Sequence, residues 1–399
     1  MKTFIAAAFA AFAATAAAHA DDAVLPMSME DGALAGAGAE AILARLPDAQ
    51  FILVGEDHGF ADSPEITMAL ARAARPYGLK HHVVEAGPLS ADWVTGVLKK
   101  GGPDDLGALL AGRPLALPFL NMLEDVVLAD DVIDSGGTLW AVDQEFIGSP
   151  LILLESLAAR AKTPDAKAET EALLTKEREA FKSFDQGSML LISGDAAIFE
   201  KLRGLFAKDK PALAMIGALE ESAGIYQSFG AGKGFTSNTD RVALIRRQFL
   251  GHYDGAREKT PRAIFKMGAN HVGLGSTTLD TFDLGSLTEG VAAANGLKVL
   301  RVAFFPLDGK NTQIQPSPDG FFATADYHSK DIEDLLAAIG VAAEDIPAEG
   351  WGVIALDPMR KKLEHKGLKA LPPEAKFILL GYDFLITTRG ARPATPLAN

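Results

Sequence analysis

Two short histidine motifs contain the side chains best suited to chemistry. Glu56 and His58 lie in the sequence Gly-Glu-Asp-His-Gly, and Asn270 and His271 lie in Gly-Ala-Asn-His-Val-Gly. Side chains two residues apart in extended backbone point the same way, so Glu56 and His58 can face one pocket. An imidazole beside a carboxylate is typical of a general base whose tautomer is held by the acid.

Two further acidic residues follow apolar runs elsewhere in the chain. Glu85 ends the run Lys-His-His-Val-Val, and Asp143 ends the run Thr-Leu-Trp-Ala-Val. In open parallel sheets, ligands bind at the carboxyl ends of the strands. If the preceding runs are neighbouring parallel strands, both carboxylates meet the two histidine motifs at one edge of the sheet. We therefore expect Asp143 and Asn270 to contact a substrate there.

These side chains allow two mechanisms, and the sequence does not choose between them. In the first, His58 or His271 acts as a general base on a water molecule, and a carboxylate orients the imidazole. In the second, Glu56, His58, Glu85 and His271 bind a divalent metal such as Zn, Mn or Fe. The chain has no cysteine, which excludes thiol nucleophiles and thiolate ligands. It also lacks a G-x-S-x-G elbow, an H-E-x-x-H helix and a Walker loop.

The elements that must position these residues alternate between strand and helix. This alternation predicts an α/β fold with a mainly parallel sheet flanked by helices. A large helical insertion is expected at about 150–258, and a mixed C-terminal segment at about 307–399. Residues 21–38 are expected to be loop, and a helix is expected from Ser63 as N-cap to Arg75. The predicted strands are 50–54, 80–85, 138–143, 262–267, 298–305, 351–356 and 376–387.

The first twenty residues are typical of a cleavable secretory signal peptide. Lys2 precedes an Ala- and Phe-rich run, and Ala18-His19-Ala20 forms an A-x-A cleavage site. We therefore expect cleavage after Ala20, a periplasmic or secreted protein, and one domain over residues 21–399. No later stretch predicts a membrane span. The formal net charge of −14 argues against a nucleic-acid partner and leaves a small molecule as the expected substrate.

Four motifs, in order over about residues 48–306, resemble the erythromycin esterase-like family. Residues 51–59 followed by 82–85 resemble the opening of that family, and residues 140–144 resemble its next strand. Asn238 to Arg241 resembles its arginine-bearing helix, and residues 266–273 resemble its second histidine motif. The wider superfamily includes ChaN-like haem-uptake proteins and Tiki-type metal-dependent proteases.

The resemblance implies a metal-independent hydrolase that cleaves an ester through a histidine-activated water. His58 would be the general base, Glu56 its partner and His271 a second imidazole, while Glu85 lines the site and Arg241 contacts the substrate. No cofactor is implied. Two alternatives remain open: a ChaN-like uptake protein that binds haem or a metal without turnover, and a Tiki-type metal-dependent protease.

Overall fold

A large twisted sheet forms the centre of the molecule. The computed structural model describes residues 23–113, 115–317 and 320–398, so the predicted signal peptide lies outside the described residues. The strands are β1 Leu25–Glu30, β2 Ala33–Ala35, β3 Ala49–Glu56, β4 Leu79–Val84, β5 Thr138–Ala141, β6 Arg262–Gly268, β7 Lys298–Phe304, β8 Asp308–Ser317, β9 Gly320–His328, β10 Trp351–Ala355 and β11 Phe384–Thr387.

Nine of the described strands join in the order β2-β1-β10-β11-β7-β3-β6-β4-β5. The neighbours from β11 to β5 all pair in parallel, whereas β10, β1 and β2 add antiparallel pairs at one edge. β8 and β9 form a separate antiparallel hairpin. The predicted mainly parallel α/β sheet is confirmed, and its central strands β3, β6 and β4 are those that precede the proposed site residues.

Helices cover both faces of this sheet. They are α1 Ala37–Leu43, α2 Asp62–Ala74, α3 Pro88–Leu110, α4 Leu123–Asp134, α5 Pro150–Arg160, α6 Pro164–Ser183, α7 Leu190–Ser193, α8 Ala196–Leu205, α9 Lys210–Gly230, α10 Gly234–Gly255, α11 Ala269–Val272, α12 Leu284–Ala294, α13 Lys330–Ile339, α14 Leu356–Ala370 and α15 Pro373–Gly381. No helix in the described part of the chain has the length and apolarity needed to cross a membrane.

Alternation along β3 divides the core between the two faces. Phe51 and Leu53 pack with α10, α12, α13 and α15, whereas Ile52 and Val54 pack with α1 and α2. Every residue of β3 is buried, as expected for a central parallel strand. This alternation places Glu56 on the face of Ile52 and Val54, which is the α2 face.

The helical insertion, α5 to α10, has a core of its own. Buried side chains from α5, α6, α8 and α9 pack together, among them Leu154, Phe181, Phe199 and Ile216. Phe322 of β9 joins the same cluster. The insertion predicted at about 150–258 is confirmed, and the β8–β9 hairpin links it to the C-terminal segment.

The structure corrects three local predictions. Residues 25–35 contain β1 and β2 instead of loop, and they extend the antiparallel edge of the sheet. The helix predicted from Ser63 begins at Asp62, and Ser63 is buried without capping it. The strand predicted at 376–387 is α15 followed by β11, because a short apolar run fits a buried helix as well as a strand.

Candidate active site

Three adjacent strands end at one edge of the sheet. Glu56 is the last residue of β3 and pairs in register with Gly268, the last residue of β6. Glu85 directly follows β4, the other neighbour of β6. His271 lies on α11, which directly follows β6. The convergence expected at the carboxyl ends of the strands is therefore present.

His58 is held by one carboxylate and has one free ring nitrogen. Its Nδ1 lies 2.9 Å from Oε1 of Glu56. Because an ionised carboxylate can only accept, Nδ1 carries the proton and Nε2 is left as the basic nitrogen. Nε2 lies 2.9 Å from the point that a β-carbon at Gly268 would occupy, so a side chain at that position would displace the imidazole. The ring of Phe119 covers the imidazole at a centroid distance of 4.4 Å.

A buried lysine lies beneath this pair. Lys266 Nζ donates to Glu56 Oε1 at 2.7 Å and contacts Asp125 Oδ1 of α4 at 2.8 Å. Burial alone would lower the pKa of Lys266, but the charges of Asp125 and Glu56 raise it above its usual value. Burial would likewise raise the pKa of Glu56, yet Lys266 and His58 lower it. The ammonium thus keeps Glu56 ionised behind His58.

Sequence reasoning missed Lys266 and Asp125. The signal for Lys266 was a lysine inside an otherwise apolar strand, since an unpaired buried ammonium is costly and implies a partner. Asp125 gave no comparable signal, because an acidic residue in the first turn of a helix is ordinary. Burial raises the pKa of Asp125 to about 6 despite the charge of Lys266.

A second group of charges surrounds Glu85. Arg241 of α10 donates to Glu85 Oε1 at 2.9 Å and, through Nε, to Asp143 Oδ1 at 2.9 Å. The other oxygen of Glu85 accepts from the backbone N–H of Gly268 at 2.7 Å. His271 Nε2 lies 3.4 Å from Glu85 Oε1. The structure therefore places four predicted residues, Glu85, Asp143, Arg241 and His271, in one connected network.

His271 is held between two carboxylates. Its Nδ1 lies 2.7 Å from Asp283 Oδ2, and its Nε2 faces Glu85. Burial would lower the pKa of His271, but Glu85 and Asp283 together raise it to about 10. This pKa favours the imidazolium at neutral pH. In that form both ring nitrogens are protonated and neither has a lone pair to accept a proton from water.

Asn270 is turned toward the backbone of its own loop. Its Oδ1 accepts from the N–H and the hydroxyl of Thr278, at 3.1 and 2.8 Å. Asn270 thus stabilises the segment after α11, and its predicted contact with a substrate stays a prediction.

The two carboxylates among the four residues that could bind a divalent metal already contact cations or N–H groups, although Oε2 of Glu56 has no hydrogen-bond partner within the described part of the chain. Glu56 is bound by His58 and Lys266, and Glu85 is bound by Arg241 and Gly268. Among the described residues, no group of three or more histidine, aspartate or glutamate side chains is arranged to hold a metal ion.

Two glycines of the first motif have different structural roles. Gly59 adopts a φ of 92°, and a β-carbon there would lie 2.2 Å from the carbonyl oxygen of Thr312. Gly59 therefore forms a sharp turn that a residue with a side chain would not fit. Gly55 lies inside β3, where a β-carbon would collide with the hydroxyl of Tyr382. Gly55 is required for this close packing and not for a turn.

The C-terminal segment forms one wall of the site. Thr312 of β8 donates its N–H to Gly59 O at 2.8 Å, and Ala394 donates to the same oxygen at 2.9 Å. The hydroxyl of Thr312 in turn donates to Ala394 O at 2.5 Å. The hairpin and the chain end together enclose a cavity of about 390 Å³ whose lining includes Glu56, His58, Asp125 and Lys266. Small-molecule sites typically occupy roughly 300–1,000 Å³.

Comparison with known proteins supports the fold and not a particular reaction. The sequence matches no protein-family model and no curated protein. A mutant of the erythromycin esterase EreC in its open conformation superposes with a TM-score of 0.57 at 15% identity, over 88% of this chain and 93% of the esterase. The fold is that of an erythromycin esterase. The resemblance inferred from the ordered motifs is confirmed at that level.

Two other solved structures share this fold. A succinoglycan biosynthesis protein matches with a TM-score of 0.53 at 13% identity, over 93% of this chain and 95% of that protein. A protein from Bacillus cereus matches with a TM-score of 0.52 at 13% identity, over 94% of this chain and 96% of that protein. Because this fold also occurs in a succinoglycan biosynthesis protein, the fold alone does not determine the reaction.

Proposed function

We propose that this protein is an exported hydrolase of the erythromycin esterase-like type that cleaves an ester with a water activated by His58. One observation carries the proposal: Nδ1 of His58 is fixed by Glu56 at 2.9 Å in a residue that lines the cavity, so Nε2 is the basic nitrogen of the neutral ring. A general base needs this arrangement of one oriented nitrogen and one free nitrogen.

The chemical steps follow from these contacts. Nε2 takes a proton from water, and the resulting hydroxide attacks the ester carbonyl carbon. The tetrahedral intermediate collapses by breaking the bond to the alcohol oxygen, and the imidazolium returns its proton to that oxygen. The products are one acid and one alcohol. Glu56 stabilises the imidazolium while it exists, and Lys266 holds Glu56 in place.

The different surroundings of His58 and His271 support the assignment of His58 as the base. His271 bonds Asp283 through Nδ1 and places Nε2 3.4 Å from Glu85, and its raised pKa favours the positively charged ring. His58 has a single carboxylate partner, and 40% of its side chain is exposed. Hydrolysis of 4-nitrophenyl hexanoate by the purified protein, measured beside His58→Ala, tests the proposal. Activity lost in the variant supports it, and equal activity in both proteins contradicts it.

The pH dependence of turnover is expected to report His58. Burial opposes protonation, but the hydrogen bond to Glu56 and the charge of Glu85 raise the pKa of His58 above 6.5. The neutral base is lost as pH falls through the raised pKa, so kcat/KM should increase with pH through a value above 6.5.

Glu56→Gln should move that ascending limb to lower pH, since it removes the anion that stabilises the imidazolium. The residual kcat/KM of the variant, measured from pH 5 to pH 9, checks this. Glu124→Gln, which alters an acid of α4 that is bonded to Thr395 and outside the cavity lining, serves as the control. An unshifted limb in Glu56→Gln would show that another group controls the rate.

A further inference from the structure

The walls of the cavity are mainly aromatic and aliphatic. Phe119 and Met122 come from the segment before α4, and Ile314 comes from β8 of the hairpin. Ile314 is 52% exposed, although the residue is apolar and lines the cavity. Its exposed surface would be buried by an apolar group entering the cavity. Phe60, Phe146 and Phe322 complete these apolar walls.

The charged groups of the lining are already paired with one another. Lys266 binds both Glu56 and Asp125, and His58 is uncharged when it acts as the base. Two carboxylates and one ammonium then leave a net charge of minus one. Among the described lining residues, no cation remains unpaired. Arg241 lies outside this lining, bound by Glu85 and Asp143.

The remaining polar groups of the lining are neutral. Asn311 and Gln313 lie on β8, and Gln313 donates its amide N–H to Asn311 Oδ1 at 3.1 Å. Asn121 also lines the cavity. Such amides can bind carbonyl, ether or hydroxyl oxygens, but they cannot neutralise an anion.

From this lining we infer that the cavity selects esters whose acid part is uncharged and apolar, and excludes esters whose acid part carries a second, ionised carboxylate. The inference rests on the proposed hydrolase function. An anion in the cavity would lose its hydration, would meet a net negative charge and would find no free cation. Exclusion by an unpaired like charge is a common source of specificity.

A matched pair of substrates tests the selection. 4-Nitrophenyl hexanoate and mono-4-nitrophenyl adipate have the same ester and nearly the same length, but the second ends in a carboxylate. With spontaneous hydrolysis subtracted, kcat/KM for the adipate at pH 8 should be lower by at least about 30-fold. Equal kcat/KM values for the two esters would overturn the inference.

A positive charge introduced in the cavity lining should reduce the preference for the uncharged ester over the charged one. Ile314→Lys places an ammonium on an exposed position of the lining, so the ratio of the two kcat/KM values should fall by at least about 5-fold. Phe229→Lys makes a comparable change at a position on α9 that is 67% exposed and outside the lining, and should leave the ratio unchanged. The same effect from both variants would mean a general change in surface charge and would contradict the inference.

Binding separates a failure of this inference from a failure of the hydrolase proposal. N-phenylhexanamide and its adipic monoamide counterpart can be titrated calorimetrically into His58→Ala, which does not depend on turnover. Tight binding of the neutral amide alone, without ester hydrolysis by the wild type, would support the selection and reject the hydrolase. Turnover of both esters with similar binding of both amides would support the hydrolase and reject the selection.

Discussion

His58→Ala is expected to lower kcat/KM for ester hydrolysis by roughly 10²–10⁴-fold, the usual contribution of a positioned general base. The variant removes the one imidazole with a free nitrogen at the cavity. It should fold normally, because 40% of the His58 side chain is exposed and its loss leaves Glu56 bound to Lys266. Initial rates at saturating and limiting ester concentrations, together with the midpoint of thermal unfolding, check both expectations.

A matched variant controls for the loss of any histidine with an acidic partner. His328 also contacts a carboxylate, with Nδ1 at 2.6 Å from Asp308, but it is half-exposed and outside the cavity lining. His328→Ala should retain wild-type kcat/KM. If His58→Ala kept wild-type activity on an ester that the protein hydrolyses, the assignment of the base would be wrong.

Lys266→Met is expected to cost about 3–5 kcal/mol in the free energy of unfolding, because it leaves buried carboxylates without their counter-ion. Lys266 is 4% exposed and joins Glu56 to Asp125. Adding Glu56→Gln and Asp125→Asn to Lys266→Met should recover most of the loss, since no unpaired buried charge then remains. Urea unfolding of the single and triple variants measures the difference.

The sign of the pH dependence gives a second test of Lys266→Met. Without the ammonium, the folded-state pKa of Glu56 should rise above its unfolded value, and that of Asp125, already raised to about 6, should rise further. A raised carboxyl pKa means that stability is lost as pH increases, so the variant should be destabilised more at pH 8 than at pH 5.

Lys298→Met serves as the control for Lys266→Met. Lys298 pairs with Asp48 at 2.9 Å but is 72% exposed, so its removal should cost no more than about 1 kcal/mol. A comparable loss in both variants would show that the buried ion network adds nothing specific.

The sequence predicted the central strands of the sheet better than the segments that cover the site. The runs before Glu56, Glu85 and His271 are apolar and short, and their polar ends mark the carboxyl edge of a parallel sheet. By contrast, the sequence around residues 308–328 did not predict the hairpin that closes the cavity. The position of this hairpin depends on contacts with Gly59 and with the chain end near Ala394. Such long-range contacts leave little trace in a single sequence.

The candidate site was also predicted only in part. Glu56 and His58 could be paired from their spacing, and the structure places them 2.9 Å apart. The different states of the two histidines could not be predicted, because they depend on Asp283, which sequence reasoning did not consider. Asp125 was missed because its role depends on a long-range contact with Lys266, whereas the apolar residues around Lys266 did mark that lysine as unusual.

The protonation states of His58 and His271 test the central claim most directly. In protein labelled with ¹⁵N-histidine and assigned with His58→Ala and His271→Gln, the ring nitrogens can be followed by NMR from pH 5 to pH 9. We predict that at pH 8 His271 is an imidazolium protonated on both nitrogens, consistent with its pKa near 10, while neutral His58 carries its proton on Nδ1. A neutral His271 beside a doubly protonated His58 at that pH would contradict the assignment of His58 as the base.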